Sequence, residues 1–136
     1  MTTPGNYNSS APSAGAASPQ PQLAYQSPLA GTALVNGTPV IATWTAPNDG
    51  KIHRVWNAAE MTVTGAMTGG ALTLQGFAPD GTEFFWQLFP GGSAVGYVFN
   101  DTAQSRLVQP GTVVTISQST ALTAGAAKFW TEIWAA

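Results

Sequence analysis

Apolar and polar residues alternate in short runs from about Thr32 onward. Nowhere do apolar residues recur at helical spacing with caps over a useful length. Val40 to Ala46 alternates, which places Val40, Ala42 and Trp44 on one face and Ile41, Thr43 and Thr45 on the other. Ile52 to Thr64 is a longer run with a predicted break or bulge at Asn57-Ala58-Ala59, and Gly65 to Gly70 reads as a loop. Further strands are predicted over Ala71 to Ala78, Thr82 to Phe89, Ala94 to Phe99, Thr112 to Ser119 and Ala126 to Trp134. Turn chemistry separates them: Pro47-Asn48-Asp49-Gly50, Pro79-Asp80-Gly81, Pro90-Gly91-Gly92 and Gln109-Pro110-Gly111. In each, proline presets φ and glycine accepts a positive φ. Short strands at regular spacing predict an all-β fold, a single antiparallel β-sandwich.

Residues 1–30 have a different composition. Pro4, Pro12, Pro19, Pro21 and Pro28 stand among Ser, Ala, Gly, Gln and Asn, and no Asp, Glu, Lys, Arg or His occurs before Asp49. Too little apolar area is available there to offset conformational entropy, so an extended, largely irregular N-terminal arm is expected, followed by the sandwich over residues 31–136. A spacer is the default reading of such a stretch. Leu23, Tyr25 and Leu29 are isolated apolar anchors near its end, which favours an arm that orders on a partner.

Hydrophobic residues make up 44% of the chain and charged residues only 7%, against roughly 25% charged in an average soluble domain. Dense mixed charge normally keeps soluble monomers apart, so this deficit points to life inside an assembly. A net charge of −2, with Lys51, Arg54, Arg106 and Lys128 scattered, argues against nucleic acid. No run approaches the length of a membrane span, and the N-terminus lacks the charge and apolar pattern of a secretory signal. The absence of cysteine removes disulfides, thiolate metal sites and cysteine nucleophiles.

Catalysis has little to draw on. His53 is the one histidine, and no Gly-x-Ser-x-Gly elbow occurs. Of the carboxylates, Asp49 and Asp80 belong to Asp-Gly turns, and Glu83, Asp101 and Glu132 are isolated in sequence. No metal-ligand spacing is present, and no helix follows Gly91-Gly92 to make a phosphate cradle. The expectation is a non-enzymatic protein with no catalytic residues, no metal and no cofactor.

The aromatic residues carry more. Thr82 to Phe89 sets Phe84, Trp86 and Leu88 against Phe85 and Phe89, and Ala126 to Trp134 sets Phe129 and Ile133 against Trp130 and Trp134. Two apolar faces on one strand mean either a central strand covered on both sides or an interface. The low charge favours the interface, with Phe85, Trp130 and Trp134 as candidate oligomer contacts. A second reading has the tryptophans stacking on sugars, helped by Asn57, Gln75, Gln87 and Asn100, in a carbohydrate- or receptor-binding module.

The order of these signals resembles a known family. An aromatic strand ends in Trp44-Thr45-Ala46-Pro47-Asn48-Asp49-Gly50, and Gly69-Gly70-Ala71-Leu72-Thr73-Leu74 opens the next unit. Val108-Gln109-Pro110-Gly111-Thr112-Val113-Val114-Thr115-Ile116 and Phe129-Trp130-Thr131-Glu132-Ile133-Trp134 follow. The domain looks like a compact jelly roll of the TNF/C1q-like type, found also in virion proteins of tailed bacteriophages. The leader is similar to the arms of capsid decoration (cement) proteins and fibre modules. Lys51, Ile52 and His53 stand where that family has an aromatic after the Asp-Gly turn, and an immunoglobulin-like sandwich is the alternative. The resemblance implies a trimer or similar homo-oligomer, made in the host cytoplasm and carried on the virion at the capsid surface. Its partner would be the major capsid protein, with a phage tail or fibre module as the alternative setting.

Overall fold

The computed structural model describes residues 20–37 and 39–136. Among the described residues there are nine strands and no helix: β1 (Gln22–Gln26), β2 (Thr32–Ala33), β3 (Val40–Thr45), β4 (His53–Gly69), β5 (Leu72–Phe77), β6 (Glu83–Phe89), β7 (Val98–Val108), β8 (Val113–Gln118) and β9 (Leu122–Ala135). They form two antiparallel sheets. One has the order β1-β9-β4-β7, with β2 also on β9, and the other has the order β3-β8-β5-β6. The pairs are nested, β2 with β9, β3 with β8, β4 with β7 and β5 with β6. A single long hairpin rolled up in this way is a jelly roll.

The longest strand, β4, shows why the sheets face as they do. Val55, Asn57, Ala59, Met61 and Val63 are buried, while Arg54, Trp56, Ala58, Glu60 and Thr62 look outward. On β9, Ala127, Phe129, Thr131, Ile133 and Ala135 are buried between outward-facing Lys128, Trp130, Glu132 and Trp134. The register sets Met61 against Phe129 and Asn57 against Ile133, so the inner positions of both strands coincide. From the other sheet, Leu72, Leu74, Leu88, Phe89, Val114 and Ile116 close the core, each fully buried. Phe89 meets Phe99 and Phe129 edge-on at 5.5 and 6.1 Å between ring centres. Side chains of this size each contribute about 1.5–3 kcal/mol on burial. Gly76 faces inward beneath the Phe84 ring, which occupies the space a methyl group would need.

Several expectations shift. The predicted loop at residues 65–70 is mostly strand: β4 runs on to Gly69, with its register against β9 slipping between Val63 and Gly65 and again near Thr68. The segment between β6 and β7 lies beside this extension, with Met67 N–H donating to the Ser93 carbonyl at 2.7 Å. The bulge expected at Asn57-Ala58-Ala59 is present against β7 and absent against β9, where the register is continuous from Val55 to Val63. The strand expected over Ala94 to Phe99 instead begins at Val98 and continues to Val108. A bulge between Val40 and Ala42 turns Val40 outward, away from Ala42 and Trp44. An irregularity opposite Leu72–Thr73 puts both Leu88 and Phe89 inside, so Phe89 does not share an outer face with Phe85.

The largest difference concerns the arm. Its residues 1–19 lie outside the described residues, but Gln22–Gln26 is a strand on the edge of β9. Leu23 pairs with Trp134 on the outer face, and Tyr25 pairs with Ile133 and packs on the core. Ser27 is buried: its N–H donates to the Thr131 carbonyl and its Oγ accepts from the Thr131 N–H, both at 2.9 Å. Leading proline and serine content hid a strand whose stability comes from tertiary pairing rather than local propensity. Removing residues 1–19 keeps β1 and its pairing with β9 and serves as the reference truncation. Removing residues 1–29 deletes β1 and uncovers Ile133, an expected loss of about 2–5 kcal/mol from burial and buried hydrogen bonds. Thermal or urea unfolding of the two truncations checks this, and equal midpoints would contradict it.

Candidate functional site

The outer face of the β1-β9-β4-β7 sheet holds most of the chain's surface tryptophan. One cross-strand row runs Leu23, Trp134, Trp56, Ser105, so two indoles lie directly opposite one another. A second row runs Trp130, Glu60, Asn100, and a third Lys128, Thr62, Val98. Leu107, beside Arg54, is 57% exposed and extends the apolar surface to the β7 edge.

Hydrogen bonds fix this face. The Glu132 carboxylate accepts from Trp134 Nε1 at 3.1 Å through one oxygen and from Gln26 Nε2 at 3.0 Å through the other. Trp134 thus has its polar atom satisfied within the chain, which leaves the ring as apolar surface. Arg54 donates to Ser105 Oγ at 3.2 Å and its guanidinium lies 6.0 Å from the Trp56 ring centre. Beside Trp130 is a groove of about 530 Å3 lined by Leu29, Gly31, Glu60, Thr62 and Lys128, among others. Leu29 stands at the tip of a turn closed by Gly31 N–H on the Pro28 carbonyl and is 93% exposed.

The sequence-predicted site residues divide between surfaces. Trp130 and Trp134 share the face just described, with Leu23 beside Trp134 and Leu29 beside the Trp130 groove. Tyr25 points inward and is taken up by the chain's own core. Phe85 lies on the opposite side of the molecule, on the outer face of β6, in a row with Gln75, Thr115 and Thr43. It cannot join Trp130 and Trp134 in one patch. Trp56 and Leu107 belong to the tryptophan face and were not singled out from the sequence. For Trp56 the signal was available in the alternation of Val55, Asn57 and Ala59 with Arg54, Trp56 and Ala58.

No family model and no curated protein sequence matches the chain. Among solved structures it is similar to a chain in the structure of infectious bursal disease virus, Gx strain, with TM-score 0.48, 12% identity and 85% of this chain covered. It is also similar to a chain of the Gt strain, with TM-score 0.41, 14% identity and the same 85% covered. In both cases it spans 31% of the length of the matched chain.

Ionisable groups are engaged locally. His53 Nε2 lies 3.7 Å from Asp49 Oδ2 and its ring meets Trp44 edge-on at 6.2 Å. These residues line a groove of about 360 Å3 with Gln20, Gln22 and Lys51, and among the described residues no serine or threonine lines it. Asp49 is held in its turn by the Lys51 N–H at 3.0 Å. Of the carbohydrate-binding candidates, Asn57 is buried and its Oδ1 accepts from Thr131 Oγ1 at 2.8 Å. Among the described residues no three His, Asp or Glu side chains gather as a metal site.

Asp80 behaves like Asp49. Its Oδ1 accepts from the Thr82 N–H at 2.9 Å and its Oδ2 from Gln109 Nε2 at 3.2 Å. These donors, the Thr82 backbone foremost, hold the carboxyl below its ordinary value of 3.8. A depressed folded-state pKa means that the ionised turn's contribution is complete above the ordinary value and is lost as pH falls through the lower one. Carboxyl carbon NMR is expected to place the Asp80 midpoint below 3.8. A midpoint at or above that value would show the turn bonds to be absent in solution.

Proposed function

We propose that the chain is a non-catalytic structural virion protein of the capsid-decoration kind, binding the outer surface of a capsid as a homo-oligomer and stabilising the shell. The observation that carries this reading is the tryptophan face, where Leu23, Trp134 and Trp56 form one continuous row. Aromatic side chains at the centre of a surface, surrounded by polar and charged groups, are the composition of protein interfaces. Arg54 and Lys128 lie toward the two ends of this face and Glu60 and Glu132 among its tryptophans, two charges of each sign, which favours orientation over repulsion. The rest of the surface is so poor in charge that little opposes dense packing of copies. The jelly-roll resemblance adds the expectation of a trimer and of the major capsid protein as partner.

Mechanistically, each copy docks through apolar area and a few hydrogen-bonded side chains. Linking several such contacts in one oligomer raises attachment through effective concentration, without any single contact being strong. Residues 1–19 would add contacts beyond the sandwich, a role that the leader's composition permits and a truncation can test.

A second reading takes the row Trp130, Glu60, Asn100 as a sugar platform, a ring beside a carboxylate and an amide on an open face. The two readings separate in one experiment, co-sedimentation of the folded chain with capsids that lack it. Saturable binding at many copies per particle is expected. Trp134→Ser with Trp130→Ser is expected to weaken binding by at least about tenfold, the loss typical of removing an interface anchor. Absence of binding by the folded chain contradicts the decoration reading and directs attention to glycans.

A further inference from the structure

The edges of the two sheets are not equivalent. On the β1-β9-β4-β7 sheet, the outer edge is broken by the bulge between Leu23 and Tyr25 and by the turn that separates β1 from β2. The opposite edge, β7, carries Asp101 and Arg106 within the strand. On the other sheet, β3 is bulged between Val40 and Ala42 and lies between Pro39 and Pro47. Charges, bulges and flanking prolines are the devices by which an edge refuses another strand.

β6 keeps such devices to its two ends, with Glu83 at its first residue, an extra residue at Leu88 where the register with β5 shifts, and Pro90 just beyond it, and Phe84 to Gln87 run unbroken between them. It reads Glu-Phe-Phe-Trp-Gln-Leu-Phe, with one charge at its first residue and no proline, glycine or lysine. Among the described residues it is paired with β5 on one side only, and no backbone hydrogen bond made outside the ladders reaches it. Phe85 is 67% exposed on its outer face. A strand this apolar, with a free row of N–H and C=O groups, is a template for another strand.

We propose that β6 pairs antiparallel with β6 of a second copy of this chain across a twofold axis, joining their two four-stranded sheets edge to edge. A second copy fits better than the chain's own leader, where Pro4, Pro12 and Pro19 with Gly5, Gly15 and the alanines are poor strand formers. Twofold closure also consumes both edges, so no free β6 remains to propagate a fibre.

Side-chain chemistry selects the register. Centring the pair on Phe85 sets Phe85 against Phe85 of the partner copy, and Glu83 against Gln87, a carboxylate facing an amide. Moving the centre to Trp86 would set Glu83 against Phe89, which is fully buried in the core. Moving it to Phe84 would set Glu83 against Phe85, a charge against an aromatic ring. This contact lies on the sheet opposite the tryptophan face and does not use it.

The chain contains no cysteine, so a single introduced thiol can bridge only between copies. Phe85→Cys in the full chain, at micromolar concentration under mild oxidation, is expected to give a covalent dimer of twice the 14.0 kDa chain mass. Phe77→Cys, exposed on the neighbouring strand, is the control. Cross-linking should be at least about tenfold faster at position 85, because a disulfide forms only where Cα atoms come within roughly 7 Å. Phe85→Lys, which restores an edge charge, should halve the number of copies per particle in sedimentation while leaving binding to capsids intact. Cross-linking at 85 no faster than at 77 would overturn the β6 contact. The decoration reading would then stand or fall separately, on the capsid binding of the tryptophan variants.

Discussion

The ladder between β4 and β9 decides the inside and the outside of this molecule. It runs in unbroken register from Val55 opposite Ala135 to Val63 opposite Ala127. Over that length it sends Met61 and Phe129 into the core and leaves Trp56 and Trp134 side by side on the surface. A slip of β9 by one residue would turn its faces over, burying Lys128 and Glu132 and exposing Phe129 and Ile133. Burial of these charges is so costly that the register is strongly specified. β1 and β7 then add to the two sides of this pair, and the second sheet covers its inner face. The tryptophan surface is thus a by-product of the same ladder that builds the core.

The scarcity of charge gives this surface its meaning. Four of the ten ionisable Lys, Arg, Asp and Glu side chains lie on the tryptophan face, and Asp49 and Asp80 are tied into turns. The outer face of the second sheet is built from Thr43, Thr73, Gln75, Thr115 and Ser117 around Phe85 and Phe77, with Glu83 at its margin. The second face can therefore approach another protein without first shedding strongly hydrated groups, whereas the tryptophan face brings four charges, two of each sign, that a partner has to match. One offers apolar anchors among charges of both signs, and the other a strand edge beside an uncharged face. A protein built in this way is suited to crowded, repeated contact.

Strands that alternate between a core and solvent were legible from the chain, and β3, β5, β6, β8 and β9 were found where the pattern placed them, within a few residues. β1 escaped because Pro21 and Pro28 flank it and only the small Ala24 and Tyr25 of its residues pack on the core. The greater part of β7 escaped for a related reason. Asn100, Gln104, Ser105 and Arg106 are polar whichever way they point, since an edge strand meets water along one side. Bulges at Val40 and opposite Leu72 shifted the parity of their strands, so Val40 was assigned to the wrong face and Phe89 was grouped with Phe85. The pairing of Trp130 with Trp134 followed from spacing within one strand. Their separation from Phe85, and the junction of Trp134 with Trp56, depend on which strands lie in which sheet, and that information is carried by long-range packing alone.

The central claim is that the exposed faces of this sandwich are contact surfaces between proteins. Sedimentation equilibrium of the intact chain at micromolar concentration, in low and in high salt, tests it most directly. The account predicts a species whose mass is a multiple of 14.0 kDa and which persists in high salt, because apolar contacts are not screened as ion pairs are. A folded chain that sediments as a monomer under both conditions would contradict it.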